Sequence, residues 1–560
     1  MTDSTPNEAF DLTHQPWLRV LFTDGRRGVL SLREVFHQSR EILRIAGETP
    51  QQDAALLRLL LVILWRAHRR ADERLSGWDP EGVIEWWVET FTGASPEASQ
   101  AVVQRYLDET EDRWDLMHPT HPFMQVADLH TLKGEYSPVQ KLVQDSESPY
   151  FSMRAAEGLD SLDLAEAARW LVHLQAWNYS GIKSGAVGDP RVKGGRGYPI
   201  GTGWTGRTGL VVVQGRNLAE TFVLNTAPDV VFTDDAETDL PVWEREPDTA
   251  APRGREHPTG PCDLLTWQSR RTRLHVAGGR VTGVLVANGD RIESQNTLAD
   301  PMTAYRFSEP QSKKAGRDVW MPRQHNETRT LWRGIEPLFA HQADTSATVR
   351  APATIIALRQ VKDDLMDELR GRDVQVTVEL VGTVYGTQDS SVTATLHESM
   401  PLRLAVLMEG DVRVAQSIIT AAEGAMTAAV AVGQFSAMLR QAAGHEYAFD
   451  ADATARLLAA FNEPFKEWLA GYHPEPEQAH EQRRHWFASV ERMTLVQART
   501  QLRGASPAAL VGREDPDGRL HSAASAWSLL RRRLAEAIGT PELDARRANR
   551  MDRGDADGGV

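Results

Sequence analysis

A chain of 560 residues, 41% hydrophobic and 25% charged, has the composition of an ordinary globular protein of two to four domains. Its formal net charge of −15 excludes a surface that binds nucleic acid everywhere, because such binding draws on many Lys and Arg contacts to phosphate; any DNA contact must come from local patches, with partners neutralising most phosphates. The one cysteine, Cys262, excludes an internal disulfide and a zinc site built on paired cysteines, and fits a reducing compartment.

The N-terminus, "MTDSTPNEAF", lacks the basic and apolar regions of a secretory signal, so no export is expected and the chain reads as cytoplasmic. "PWLRVLFTDGRRGVLSLREVF" predicts strand, Asp-Gly turn, strand and helix in that order. Helical periodicity follows from residue 50 to about 112. Within it the longest apolar run, "DAALLRLLLVILWRA", is interrupted by Arg58 and falls short of the roughly 18 residues of a membrane span, so no membrane partner is expected.

Residues 181–216 hold 11 of the 42 glycines and six basic residues against one acidic. Within them "KGGRGYPIGTGWTGRTGL" spells a G-x-G-x-x-G at Gly201, Gly203 and Gly206. A dinucleotide site needs that motif after a strand and at the head of a helix; here it precedes "LVVV", which reads as a strand. Two readings stay open: a backbone bared for an anionic visitor, or a surface loop with solvated arginines.

Residues 229–256 carry nine acidic residues against three basic and read as a solvated linker. "RTRLHVAGGRVTGVLVANGDRIES" places Gly278-Gly279 and Asn288-Gly289 between alternating runs and predicts two hairpins. A third is read from "VQVTVELVGTVYGTQDSSVTATL", with a polar tip at residues 386–389. Beyond residue 401 the texture is helical. Segments 412–444, 453–471, 476–504 and 522–539 read as a four-helix bundle, with Trp527, Leu530, Leu534 and Ile538 as one apolar stripe. On the third helix Arg484, Arg492, Arg499 and Arg503 share one face, opposite Trp486, Val490 and Met493; that face is either a track for an anion or an ordinary solvated surface. Residues 546–560 read as a disordered tail. "HPTHPFMQ" reads as a turn with packed histidines, since no third ligand follows His118 and His121. No Ser-His-Asp or Cys-His arrangement stands out, and no catalytic residue is assigned.

Taken in order, "DLTHQPWLRV", "HPTHPFMQ" with "SPVQKLV", the glycine run leading into "GLVVVQGRNLAETFVLN", and "VELVGTVYGTQDSSV" ahead of the bundle resemble the CasA family, the large subunits of the type I-E CRISPR effector Cascade. The resemblance spans nearly the whole chain. It implies an α+β fold, with a large mixed α/β domain over residues 1–400 and a four-helix bundle over 401–545. It implies a noncatalytic subunit, without cofactor or metal, that recognises the protospacer-adjacent motif (PAM) of double-stranded DNA through the minor groove. Such a subunit starts strand separation and R-loop formation, works with the other Cascade subunits and CRISPR RNA, and helps recruit a helicase-nuclease.

The glycines matching the family's PAM loop are Gly194, Gly195 and Gly197, flanked by Lys193 and Arg196; Gly181 and Gly185 around Lys183 form a competing match. The family's hairpin-tip wedge falls on Gln388 or on Asp389, beside Thr387. A PAM-contacting lysine is matched by Arg306, Lys313 or Lys314, with Arg306 preferred. The loop after "SPY", with Phe151 and Arg154, matches a loop that faces DNA and the guide, and the Arg484, Arg492, Arg499 and Arg503 face becomes a path for the displaced strand. Two other classes remain: an enzyme holding a nucleotide on the glycine-rich loop, and a scaffolding subunit that never touches DNA.

Overall fold

The computed structural model describes residues 9–76, 79–143, 159–233, 237–326, 331–339, 348–515 and 518–539. The chain divides into two compact units, residues 1–328 with 340–400 and residues 329–339 with 401–560. The first mixes helix and strand; the second is mainly helical, with one short strand pair, Arg513–Glu514 with Leu520–His521.

The first unit opens as its sequence predicts, with strands Leu18–Phe22 and Arg27–Leu30 and the helix Leu32–His37. Ser31 starts that helix with a reciprocal capping box: its side chain accepts the Glu34 N–H while the Glu34 carboxylate accepts the Ser31 N–H. Strand Ile42–Ile45 completes an antiparallel sheet with Leu18–Phe22 at its centre.

The helix Pro50–Ala71 is the core of this unit. Thr49 caps it and Pro50 occupies its first turn. It is buried around nearly its whole circumference, which leaves its charges nowhere to go but into pairs. Arg58, which interrupts the apolar run, is 2% exposed and bonds both oxygens of Asp300 at 3.0 and 2.9 Å. His68 accepts from the Trp86 indole and contacts the Ser99 hydroxyl, and burial pulls its pKa down to about 4.

Among the described residues the acidic stretch 229–256 is only in part a solvated linker: Glu237, Glu246 and Glu256 are exposed, whereas Asp239, Glu244 and Asp248 are held by partners. Glu244 pairs with Arg66 at 2.6 Å and with Arg70 at 2.7 Å. Asp239 accepts the N–H groups of Cys262 and Asp263, capping the short helix Pro261–Leu265. Asp248 pairs with Arg245 and Arg271. Between them Trp243 is buried against Trp114, ring centroids 4.8 Å apart. Counting charge along the chain missed cations supplied from distant strands and helices.

Gly278 and Gly279, both at positive φ, turn strand Arg270–Ala277 into Arg280–Asn288. The second hairpin, expected at Asn288-Gly289, does not form. The Gly289 and Asp290 N–H groups bond back to Ser269 and Gln268, and the Asp290 carboxylate is held by Arg253 and Arg271 at 2.7 and 3.0 Å. These bonds take the backbone and side chain that a returning strand would need. The third hairpin forms as read, Gln375–Tyr385 running into Val392–Arg403, with Leu210–Gln214 on its outer side.

In the second unit the helices Val412–Ala442, Ala451–Ala470, Ala479–Arg503 and Ala523–Ile538 form the bundle, the first touching each of the other three. Val412–Ala442 has the length and mean hydropathy, 1.3, of a membrane span. It nonetheless buries its Ala-rich surface against the other helices, with Phe435 edge-on to Trp527. Leu530, Leu534 and Ile538 are buried as the stripe predicts. Trp332, from the short preceding segment, stacks on Phe465 at 5.0 Å.

Candidate nucleic-acid interface

The two glycine clusters are one object. Lys183–Ser184 pairs antiparallel with Arg196–Gly197, Lys183 opposite Gly197 and Ser184 opposite Arg196. Between Lys193 and Arg196, which bond each other's backbone at 3.1 and 3.2 Å, Gly194 and Gly195 make a two-residue turn with φ of +58° and +72°. No atom lies within 4 Å of where a Cβ on Gly194 or Gly195 would stand. The turn rests on Gly185, whose N–H donates to the Gly195 carbonyl at 3.1 Å. A Cβ on Gly185 would strike that same backbone. Gly181 stands beside the ribbon with φ +140°. Gly197 differs from its neighbours: it is buried, and a Cβ there would meet the Asn288 amide at 2.9 Å. It anchors the ribbon and does not face outward.

Charge at the ribbon is narrower than the count of six cations suggests. Arg191 pairs with Asp189 at 2.9 Å and Arg216 with Glu220 at 2.6 Å. Arg207 is turned inward to the Ile292 carbonyl and the Ser294 hydroxyl. Lys183 lies over the Tyr179 ring at 3.8 Å. Lys193 and Arg196 remain, both exposed on either side of the glycine turn, and no carboxylate among the described residues pairs with either.

The G-x-G-x-x-G stretch is packing, not a cradle. A Cβ on Gly203 would collide with the Ala176 carbonyl at the end of helix Leu164–Trp177, and one on Gly206 with the Tyr385 ring. Tyr385 donates to the Trp177 carbonyl at 2.6 Å, so these glycines join that helix end to the last residue of strand Gln375–Tyr385. Two side chains that sequence reasoning missed hold this junction. Arg270, fully buried, donates to the Tyr179 and Gly201 carbonyls at 2.8 Å and to the Asn178 side chain at 2.7 Å. With no carboxylate among the described residues beside it, burial pulls its pKa down to about 10. Trp204 donates to Asp300 at 2.6 Å, tying the stretch to the Arg58 pair.

At the hairpin tip Thr387, Gln388 and Asp389 are all exposed, and Gln388 and Asp389 both take positive φ, +58° and +53°. The Asp389 charge acts on Arg207: burial lowers the pKa of that guanidinium and Asp389 opposes the shift. Gln388 has no such partner among the described residues.

Arg306 is exposed on the central strand Tyr305–Phe307 of a three-stranded sheet, across from Met321 and Val349. Lys313 is bound to Glu309 at 2.6 Å, whereas Lys314 is exposed on the same short helix. Phe151 and Arg154 lie outside the described residues. Arg484, Arg492, Arg499 and Arg503 are all exposed on helix Ala479–Arg503, while Trp486 and Val490 are buried and Met493 partly so. No carboxylate among the described residues pairs with these four arginines.

His118 and His121 stack at 3.6 Å in a turn that Gln125 stitches to strand Arg270–Ala277: its amide donates to the Leu116 carbonyl and its oxygen accepts the Leu274 N–H. Asp11, His14 and Glu111 bring possible ligand atoms within 4.8 Å of one another. The Asp11 carboxylate already accepts from the Thr13 N–H and hydroxyl, both at 2.8 Å, as turn residues do.

Residues 11–496 match the family model for CRISPR-associated protein Cse1. The chain belongs to the Cse1 family. A CRISPR-associated protein CasA/Cse1 of Thermus thermophilus is 30% identical over 392 residues, 67% of this chain and 68% of that one. The crystal structure of Thermobifida fusca Cse1, 37% identical, superposes with a TM-score of 0.82 over 96% of this chain and 99% of its own. A chain from a structure described as a CRISPR RNA-guided surveillance complex shares the Cse1 fold at 20% identity, with a TM-score of 0.63 over 88% of this chain and 99% of its own.

Proposed function

We propose that this Cse1 family member is the noncatalytic large subunit of a type I-E CRISPR RNA-guided surveillance complex, acting in the cytoplasm. It recognises the PAM of double-stranded DNA through the minor groove, starts strand separation and R-loop formation, and helps recruit the helicase-nuclease. Its partners are the other subunits, the CRISPR RNA and the target duplex. Residues 1–400 serve PAM recognition, and residues 401–545 serve the R-loop. The observation that carries this reading is the Gly194-Gly195 turn. It combines open space over two glycines with two exposed cations, Lys193 and Arg196, that pair with no carboxylate among the described residues, which is what a backbone approaching a narrow, negatively charged groove requires. Arg306 and the displaced-strand face of Arg484, Arg492, Arg499 and Arg503 supply further phosphate contacts. The minor groove carries a degenerate donor and acceptor pattern, so a reader there accepts several related PAMs. The test is duplex binding by the assembled, guide-loaded complex: affinity falls when the PAM is mutated, and equal affinity with and without it overturns the reading.

Gln388, at the tip beside Thr387 and Asp389, acts as the wedge below the PAM. Opening the first base pairs costs a few kcal/mol before guide pairing takes over. Gln388→Ala therefore slows R-loop formation about ten-fold on intact duplex and little on a target already melted beside the PAM. Equal slowing on both removes Gln388 from this role. Reversing the helix face with Arg492→Glu and Arg499→Glu shortens R-loop lifetime without changing the melting temperature, because both side chains are exposed. An unchanged lifetime returns them to an ordinary solvated surface.

A nucleotide-binding enzyme is disfavoured by the packing of Gly203 and Gly206 against Ala176 and Tyr385, which fills the space a pyrophosphate would take.

A further inference from the structure

The glycine ribbon carries an apolar element that its charges do not explain. Ile182 and Tyr198 each lie one residue beyond the paired positions, Lys183 opposite Gly197 and Ser184 opposite Arg196. Side chains alternate between the two faces of such a ribbon. Gly197 faces the body of the unit, where Asn288 stands. Tyr198, one residue on, is exposed as Arg196 is, and so is Ile182. Both are unusually bare for their type: Ile182 is 58% and Tyr198 54% exposed. The Tyr198 backbone is held, its carbonyl accepting the Asn288 amide at 2.6 Å, and its ring stacks on no other among the described residues. A fixed backbone presenting a bare ring beside a two-glycine turn and two free cations is a composite surface, part apolar and part cationic.

We propose that Tyr198, seconded by Ile182, is a DNA-contacting residue that packs against the deoxyribose wall of the groove entered by the Gly194-Gly195 turn. The inference rests on the function proposed above and adds a salt-insensitive contact to it. Lys193 and Arg196 meet phosphate, whose contribution falls as salt rises. An aromatic ring and a branched aliphatic chain cannot neutralise phosphate, and the apolar surface that a duplex offers beside its phosphates is sugar. A second protein subunit is the other occupant such a face could take, but the free cations on the same ribbon favour a polyanion.

The experiment uses the assembled, guide-loaded complex and a PAM-bearing duplex titrated at several salt concentrations. Tyr198→Ala weakens binding about ten-fold with the slope of log affinity against log salt unchanged. Tyr198→Phe, which keeps the ring, stays close to the parent. Lys193→Ala with Arg196→Ala instead lowers the slope by about two. Because Tyr198 is exposed, the melting temperature of each variant stays that of the parent. If Tyr198→Ala binds like the parent while the cation variant is weakened, this inference falls and the proposed function stands. If neither variant alters binding, both fall. If Tyr198→Ala fails to enter the complex, the face docks protein and the inference is overturned.

Discussion

Gly195→Asp lowers PAM-dependent duplex binding by the assembled complex about ten-fold or more, while the complex still assembles. The fold tolerates the change because nothing lies within 4 Å of the new Cβ, and aspartate is among the few residues that visit the left-handed region, at about 1 kcal/mol. The ligand does not tolerate it. A carboxylate placed between Lys193 and Arg196 cancels one of the two free charges and thrusts a side chain into the space a groove floor would occupy. Gly195→Asn separates the two causes, since it keeps the bulk and omits the charge; it binds between the parent and Gly195→Asp. The measurement is an electrophoretic titration at fixed salt on duplexes with and without the PAM. Parent-like binding by Gly195→Asp removes the turn from the DNA.

Asp300→Ala is the most destabilising single change expected in the first unit. Asp300 is fully buried and takes both guanidinium bonds of Arg58, the Met302 N–H and the Trp204 indole N–H. Removing it strands a buried cation and two donors, at about 3–5 kcal/mol, and lowers the melting temperature by roughly 5–10 °C. Replacing both partners, Arg58→Met with Asp300→Leu, recovers the part of that loss due to the stranded cation, because a buried ion pair contributes little over well-packed apolar side chains, while the Met302 and Trp204 N–H groups stay without their acceptor. The loss is measured by thermal unfolding; a double variant as unstable as Asp300→Ala contradicts this account of the pair. Trp204 sits in the stretch that joins the glycine run to Tyr385, so Asp300→Ala loosens the root of the hairpin that carries Gln388 as well.

Local rules were legible where local physics decides the outcome. Gly278-Gly279 turned a strand as its φ preference demands, and the 3.6-residue periodicity marked out the four helices of the bundle. Rules that need a partner failed. The acidic run 229–256 looked solvated throughout because Arg66, Arg70 and Arg271 lie far from it in sequence, and Asn288-Gly289 looked like a turn because Arg253 and Arg271 were not in view. Arg58 looked like a break in an apolar run until Asp300 met it. At the candidate interface, the richness in glycine and cations was readable. Its division into an outward turn at residues 193–196, an inward anchor at Gly197 and a packing surface at Gly203 and Gly206 was not, because only strand pairing with Lys183–Ser184 separates them. The ring of Tyr198 carried no sequence signal at all; it stands out only by its exposure.

We propose above all that the Gly194-Gly195 turn meets the PAM. This is tested most directly by placing a photocrosslinking group at Lys193 in the assembled, guide-loaded complex and mapping the bases and strands it captures on target duplex. Crosslinks confined to the PAM and its immediate neighbours, and lost when the PAM is mutated, are the expected result. Crosslinks of equal yield with and without a PAM, or none to DNA at all, would contradict it.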